Sequence, residues 1–342
     1  MRVNEGLDFI SLMNIWKSFH TNRLIMDDSN HFKDSRSARC DGLIGGYAVS
    51  VRTNKKVFCN IVTKTDGPFY CPKCMSPAIV RKCSEKEDHF AHKPKLSPIL
   101  TSKDQSLHTE CKNSICEYLA EKYPDGGWKV ERPIESSLKR GTKRIVPDIS
   151  GRINSIPIAI EIQKSTYTLN KIQDKTEQYY KWGIFVLWII PLREDLGIDD
   201  FRPRLFEKYL HAMYYGRAYY WIPTKPNKLL PVHFSFSARY IEPTSFIDEN
   251  GEEQNFGGEY RLYKTIKKPN YDGFIDIATD LKNVERPLFR NPKWAENIPA
   301  CKIMMDTKEA WWSKNEKEKL ISNMSSDCQY NEDEYYDSFD NY

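Results

Sequence analysis

The chain has 342 residues, with 51 Lys and Arg against 47 Asp and Glu for a formal net charge of +4. That length suits one large domain or two to three small ones. No run of about 18 apolar residues is present, so a membrane-spanning helix is not expected. The first 35 residues hold no clean apolar stretch ending in small residues, which argues against secretion. Nine cysteines, two of them in a CxxC, point to a metal in a reducing compartment rather than a disulfide scaffold, and the expected location is cytoplasmic. Residues 327–342 carry six acids and no Lys or Arg, which leaves +10 on residues 1–326. A modestly basic body suits a polyanionic partner.

In chain order, residues 1–44 form an N-terminal segment of mixed charge with little pattern, expected to be poorly ordered. A β-rich module is predicted over 45–98. Tyr47 to Val62 alternates as strands do, with a turn near Asn54. The GLIGG at 42–46 reads as a turn. Cys71-Pro-Lys-Cys74 and His89-Phe-Ala-His92 then offer two thiolates and two imidazoles, a donor set that satisfies tetrahedral Zn2+. Cys83 or Cys59 could replace one of the histidines. Four protein ligands make such a site structural.

Over 99–195 the apolar residues Leu107, Cys111, Ile115, Tyr118 and Leu119 fall on one face of a helix ended by Pro124, Gly126 and Gly127. Strands are expected at 128–134, 142–150 and 156–163, then a helix over 169–182 with Gly183 at its end. Ile184 to Ile190 is an unbroken apolar run, as expected for a strand buried on both faces. The order helix, three strands, helix, strand describes a small mixed α/β domain. An aromatic-rich region follows over 196–300, with a helix over 205–215 and an extended stretch at 217–221. Tyr214, Tyr215, Tyr219, Tyr220 and Trp221 beside Arg217 read first as core packing and second as a platform for unpaired bases. Trp311 and Trp312 read as packing anchors. Residues 301–342 are read as a C-terminal helix and an acidic tail.

The stretch Pro147 to Gln163 is the most informative. Isoleucines at 156, 158, 160 and 162 share one strand face, and Ala159, Glu161 and Gln163 share the other. A hairpin turning around 151–155 brings Asp148 beside Glu161. Two neighbouring carboxylates repel unless something cationic sits with them, and Mg2+ or Mn2+ with oxygen ligands answers that need. The carbonyl of Ile162 could add a ligand. Sites that cleave phosphodiesters this way place a lysine two residues after the second acid; here that residue is Gln163, whose amide can orient water but brings no charge. Lys164 points to the other face, whereas Lys175, Lys171 or Lys143 could reach. Without a metal, Asp148 is a turn-flanking acid and Glu161 a strand-end acid, and the spacing alone leaves both readings open.

FYCPKC, HFAH, SLHTECK, PDI, IEIQKS, the KTEQY of 175–179 and VLWII occur in this order in CoiA-like competence proteins, which the chain resembles over about 45–235. These are bacterial proteins similar to PD-(D/E)xK nucleases, with an N-terminal zinc-ribbon-like element. FEKYLHAMYYGRAYYW at 206–221 and Pro231-Val-His233 look like the region after that family's nuclease core. The resemblance implies an α/β fold: a restriction-endonuclease-like mixed sheet flanked by helices, a small zinc-ribbon-like module before it, and an α+β extension after it. It implies Mg2+ or Mn2+ at Asp148 and Glu161, with Gln163 as the family's variation on the motif lysine. It adds one residue from around the first helix, where Asp104 precedes His108 and Lys112 with Glu110 between them and His108 or Glu110 is favoured, and Lys175 where the family often has arginine. The implied function is a metal-dependent DNA endonuclease or DNA-processing protein in DNA uptake and recombination, or in a mobile-element or defence setting. DNA, single-stranded or branched, and recombination proteins are the implied partners. The alternative is a non-catalytic DNA-binding recombination accessory that keeps the fold.

Overall fold

The computed structural model describes residues 40–312, apart from 41, 44, 85–86, 94, 102, 164–167, 242, 248–249 and 291–296. The segment 1–39, Lys164 and the acidic tail therefore lie outside the described residues. Near the N-terminus, short strands β1 (Tyr47–Ser50), β2 (Lys56–Phe58), β3 (Phe69–Tyr70), β4 (Pro77–Arg81) and β5 (His89–His92) form an antiparallel sheet in the order β2-β1-β3-β4-β5. Asn54, at φ 52, turns β1 into β2 as the sequence suggests. The core of this module is small, with Ala48, Phe69, Val80 and Phe90 at its centre. A core of that size needs a further staple.

The rest of the described chain builds one large mixed sheet. Its elements are α1 (Gln105–Lys122), β6 (Lys129–Val130), β7 (Ile149–Ile153), β8 (Ile156–Ile162), α2 (Leu169–Trp182), β9 (Phe185–Pro191), α3 (Leu205–Met213), β10 (Ala218–Trp221) and β11 (Lys228–Ile241), followed by a separate hairpin, β12 (Thr244–Ile247) with β13 (Glu253–Phe256). Then come β14 (Glu259–Asn270), β15 (Ile275–Asp276), β16 (Leu281–Arg286) and β17 (Cys301–Asp306). The sheet order is β14-β11-β10-β9-β8-β7-β6, with β8 and β10 both parallel to β9. β17 also pairs parallel with β9, through Ile303 and Val186.

The local reasons are legible. Gly183 takes φ 70 as the left-handed cap of α2, which lets the chain turn straight into β9. Asn154 and Ser155, at φ 47 and 69, form the two-residue turn between β7 and β8. The turn is therefore shorter than the expected 151–155, and Gly151 stands within β7. A side chain there would lie 2.3 Å from the Trp128 ring, so the glycine is needed for close approach. Of the strand expected over 142–150 only Ile149 and Ser150 join β7; Thr142 and Ile145 instead pair back on Ser137 and Ile134 across the 3-10 turn at Leu138–Arg140.

The boundary expected at 195 does not separate two cores. One apolar cluster runs from Ile99 to Met304, and β10 and β11 extend the sheet begun by β6 to β9. The aromatic block is packed inside it. Tyr214, Tyr219, Tyr220 and Trp221 are all buried, and the Tyr214 hydroxyl accepts the Trp188 N–H at 2.8 Å. Trp312 stacks on His233 with ring centres 4.3 Å apart. Residues 301–306, expected to begin a helical segment, are the strand β17. Its last residue, Asp306, is buried against the Arg217 guanidinium at 2.8 Å and the Tyr219 hydroxyl at 2.7 Å. Among the described residues no helix is long and apolar enough to cross a membrane.

Asp306→Ala leaves a buried guanidinium without its counter-charge. We expect a loss of about 3–5 kcal/mol of unfolding free energy, measured by chemical denaturation.

Candidate active site and metal cluster

The β7/β8 register pairs Ile149 with Ile160, which sets the preceding residue, Asp148, beside Glu161. Asp148 is fixed across the hairpin: its Oδ2 accepts the backbone N–H of Ile162 at 2.8 Å. Glu161 is 2% exposed, because β8 is buried on both faces rather than on the isoleucine face alone. Its two carboxylate oxygens receive the Lys175 ammonium at 2.9 and 2.8 Å, and the Tyr179 hydroxyl donates to Oε1. Lys175 and Tyr179 arrive together because residues four apart on a helix share a face. Lys175 also donates to the Val146 carbonyl at 3.2 Å, on the strand-side approach to Asp148. Of the three lysines that could reach from sequence, Lys175 is the one joined to the pair.

Burial pushes the Glu161 carboxyl up to about 7; the Asp148 charge acts in the same direction, and Lys175 and Tyr179 oppose it. Gln163 is buried and continues the β8 ladder by donating its N–H to the Ile189 carbonyl at 2.7 Å. Strand alternation keeps it on the face of Glu161.

Helix α1 closes the other side. His108, Cys111 and Lys112 lie on its buried face, while Glu110 is exposed. Burial raises the Cys111 thiol well above its ordinary range, and the Asp148 charge adds to that. Lys112 pairs with Glu131, which follows β6. The Glu131 N–H donates to the Asp148 carbonyl at 3.0 Å. Glu131 has no role in the sequence reading, Lys112 stands there only as one of several first-helix candidates, and Tyr179 only as the end of the KTEQY stretch. Tyr179 could have been found from its four-residue spacing to Lys175; the Lys112–Glu131 pair joins a helix to a strand edge, and no local pattern announces it.

The donor chemistry fits a hard divalent ion. Asp148 Oδ1 has no hydrogen-bond partner among the described residues, and Glu161 Oε2 accepts one bond of the two it can take.

A second cluster sits in the N-terminal module, and its membership corrects one expectation. Cys40, Cys71, Cys74 and His92 bring one donor atom each within 4.8 Å of one another. Cys40 Sγ lies 3.5 Å from Cys71 Sγ, and Cys74 Sγ lies 3.2 Å from His92 Nε2. His89 is not a member. It and His92 are three residues apart on β5, so they face opposite sides of the strand, and His89 Nδ1 is 3.1 Å from the Glu87 carbonyl. Neither Cys83 nor Cys59 takes its place; the Cys59 thiol donates to the Asp88 carbonyl at 2.9 Å. The fourth donor is Cys40, so the module begins ahead of the expected residue 45. Gly42 makes room for it, since a Cβ there would stand 2.6 Å from Cys71 Sγ. Burial lowers the pKa of His92, which favours the neutral, ligating imidazole. Three thiols and an imidazole form a donor set suited to zinc.

Comparison with known proteins adds the following. Residues 105–221 match a family model described as competence protein CoiA, nuclease-like domain, and residues 53–97 match that of the competence protein CoiA N-terminal domain. The chain is 29% identical over 126 residues to competence protein CoiA of Bacillus subtilis (strain 168), a stretch covering 36% of this chain and 31% of that protein. The match thus spans about a third of the relative's length. No solved structure matches.

For the cluster, elemental analysis of the purified chain should find one zinc per chain. Cys40→Ser should lose it and His89→Ala should keep it; the reverse pattern would restore the histidine pair.

Proposed function

Because this chain belongs to the CoiA-like family of competence proteins, we propose that its nuclease-like domain hydrolyses DNA phosphodiesters with Mg2+ or Mn2+ at Asp148 and Glu161. The observation that carries this reading is the cross-hairpin acid pair, buried and backed by a cation from α2. The order helix, three strands, helix and parallel strand supports a restriction-endonuclease-like core around it. A divalent ion there would polarise the phosphate and lower the pKa of the attacking water.

The chain's own groups have distinct tasks. The Ile162 N–H fixes one oxygen of Asp148 and leaves the other to bind the ion. Tyr179 and Lys175 hold the Glu161 carboxylate in one orientation. Lys175 supplies the positive charge that Gln163 lacks, and the Gln163 amide orients water. His108 stands on the buried α1 face, with Glu110 at the exposed side. Zn2+ on Cys40, Cys71, Cys74 and His92 staples the small N-terminal module. The proposed partner is DNA, attracted by the basic body; recombination proteins and a role in DNA uptake belong to the same proposal, and a mobile-element or defence setting would use the same chemistry.

One observation favours a second reading. Lys175 already neutralises Glu161, and Gln163 leaves the motif without its lysine. A DNA-binding recombination accessory that keeps the fold but does not cut would look the same.

Cleavage of single-stranded, duplex and branched DNA with Mg2+ or Mn2+ separates the two. Asp148→Asn and Glu161→Gln should each lower it by more than about 100-fold, and Lys175→Met by about 10- to 100-fold, as expected for an outer group. DNA binding without any cleavage that depends on these acids would establish the accessory reading.

A further inference from the structure

Lys112 is a buried cation that the proposed chemistry does not use. Its side chain is 8% exposed, whereas that of its partner Glu131 is 62% exposed. A buried ammonium needs an anion beside it. Here that anion lies on the solvent side of the pair, so an incoming polyanion meets Glu131 first and Lys112 behind it. A simple clamp between α1 and β6 has no need of this asymmetry.

Glu131 also adopts φ 48, a left-handed conformation unusual for a residue other than glycine. It is held there by donating its N–H to the carbonyl of Asp148. The carboxylate that covers Lys112 is thereby tied to the backbone of a proposed metal ligand. The helix face agrees. Lys112 is one of the buried residues of α1, with His108 and Cys111. Lys112 is thus joined to the backbone of Asp148 through Glu131.

We infer that Lys112 is a phosphate-binding cation of this site, and that Glu131 is the carboxylate it exchanges for a DNA backbone phosphate. The inference rests on the proposal that the nuclease-like domain acts on DNA, and it names the groups that grip the substrate. A lysine serves this role as a point charge that can pass from one anion to another without a fixed fork geometry. Glu131, while in place, repels the same backbone.

The test is DNA binding measured by fluorescence anisotropy in the Asp148→Asn chain, so that no cutting is needed, over about 50–200 mM salt. Lys112→Met should weaken binding about three- to tenfold at low salt and reduce the slope of log affinity against log salt by about 0.9. Lys112→Arg should recover part of the loss. Glu131→Gln should act in the opposite sense and tighten binding. Because Glu131 is exposed, that variant decides the matter even if Lys112→Met fails to fold. Weaker binding in both variants, or no DNA binding by the parent chain, overturns the inference. Acid-dependent cleavage in the wild-type background, assayed separately, would leave the nuclease proposal standing in that event. Opposite shifts without such cleavage would leave the phosphate grip standing and remove the nuclease.

Discussion

Glu161 sets the terms for the rest of the molecule. A carboxylate on the central, doubly buried part of a sheet loses most of its hydration, and an ionised group in that position is costly unless paired and hydrogen-bonded. Helix α2 meets that cost with Lys175 and Tyr179 on one face. The hairpin adds to it, since it sets Asp148, held by the Ile162 N–H, beside Glu161. The helix can do this only because Gly183 ends it in time for β9 to run parallel beside β8. The position of the acid pair is thus enforced by the fold around it, which is the preorganisation a metal site requires.

The cation beside the pair also refines the charge argument. Neighbouring acids imply a positive partner, and a divalent ion is one form it can take. Here a lysine is already in contact with both oxygens of Glu161. Its presence supplies the charge missing at Gln163 and at the same time creates competition for Glu161. The proposed catalysis requires one carboxylate to serve an ammonium and a metal together, with Asp148 Oδ1 as a donor that has no partner among the described residues.

Much of the domain was readable from sequence because its signals are local. The α2 periodicity ended by Gly183 and the unbroken apolar run of β9 each matched within a residue or two. The alternation of β8 placed Glu161 and Gln163 correctly, but it could not show that both faces are covered. The acid pair was legible because a hairpin register is itself local. What was missed is non-local. Cys40 joins the cluster from 31 residues before Cys71, and His89 was favoured because HxxH looks like a ligand pair when its strand geometry is ignored. Lys112 and Glu131 meet across 19 residues and β17 pairs with β9 across more than 100, so neither leaves a periodic trace. The aromatic block is core as expected: the Tyr214 hydroxyl finds backbone partners, and those of Tyr219 and Tyr220 find the buried carboxylates of Asp306 and Glu207.

The most direct measurement is Mn2+ binding itself, followed by calorimetry or electron paramagnetic resonance on the zinc-replete chain. The account predicts saturable Mn2+ binding in addition to the zinc, lost in both Asp148→Asn and Glu161→Gln and retained in Lys175→Met. Absence of that binding, or binding indifferent to both acids, would contradict it and leave Lys175 as the only cation the pair was built to hold.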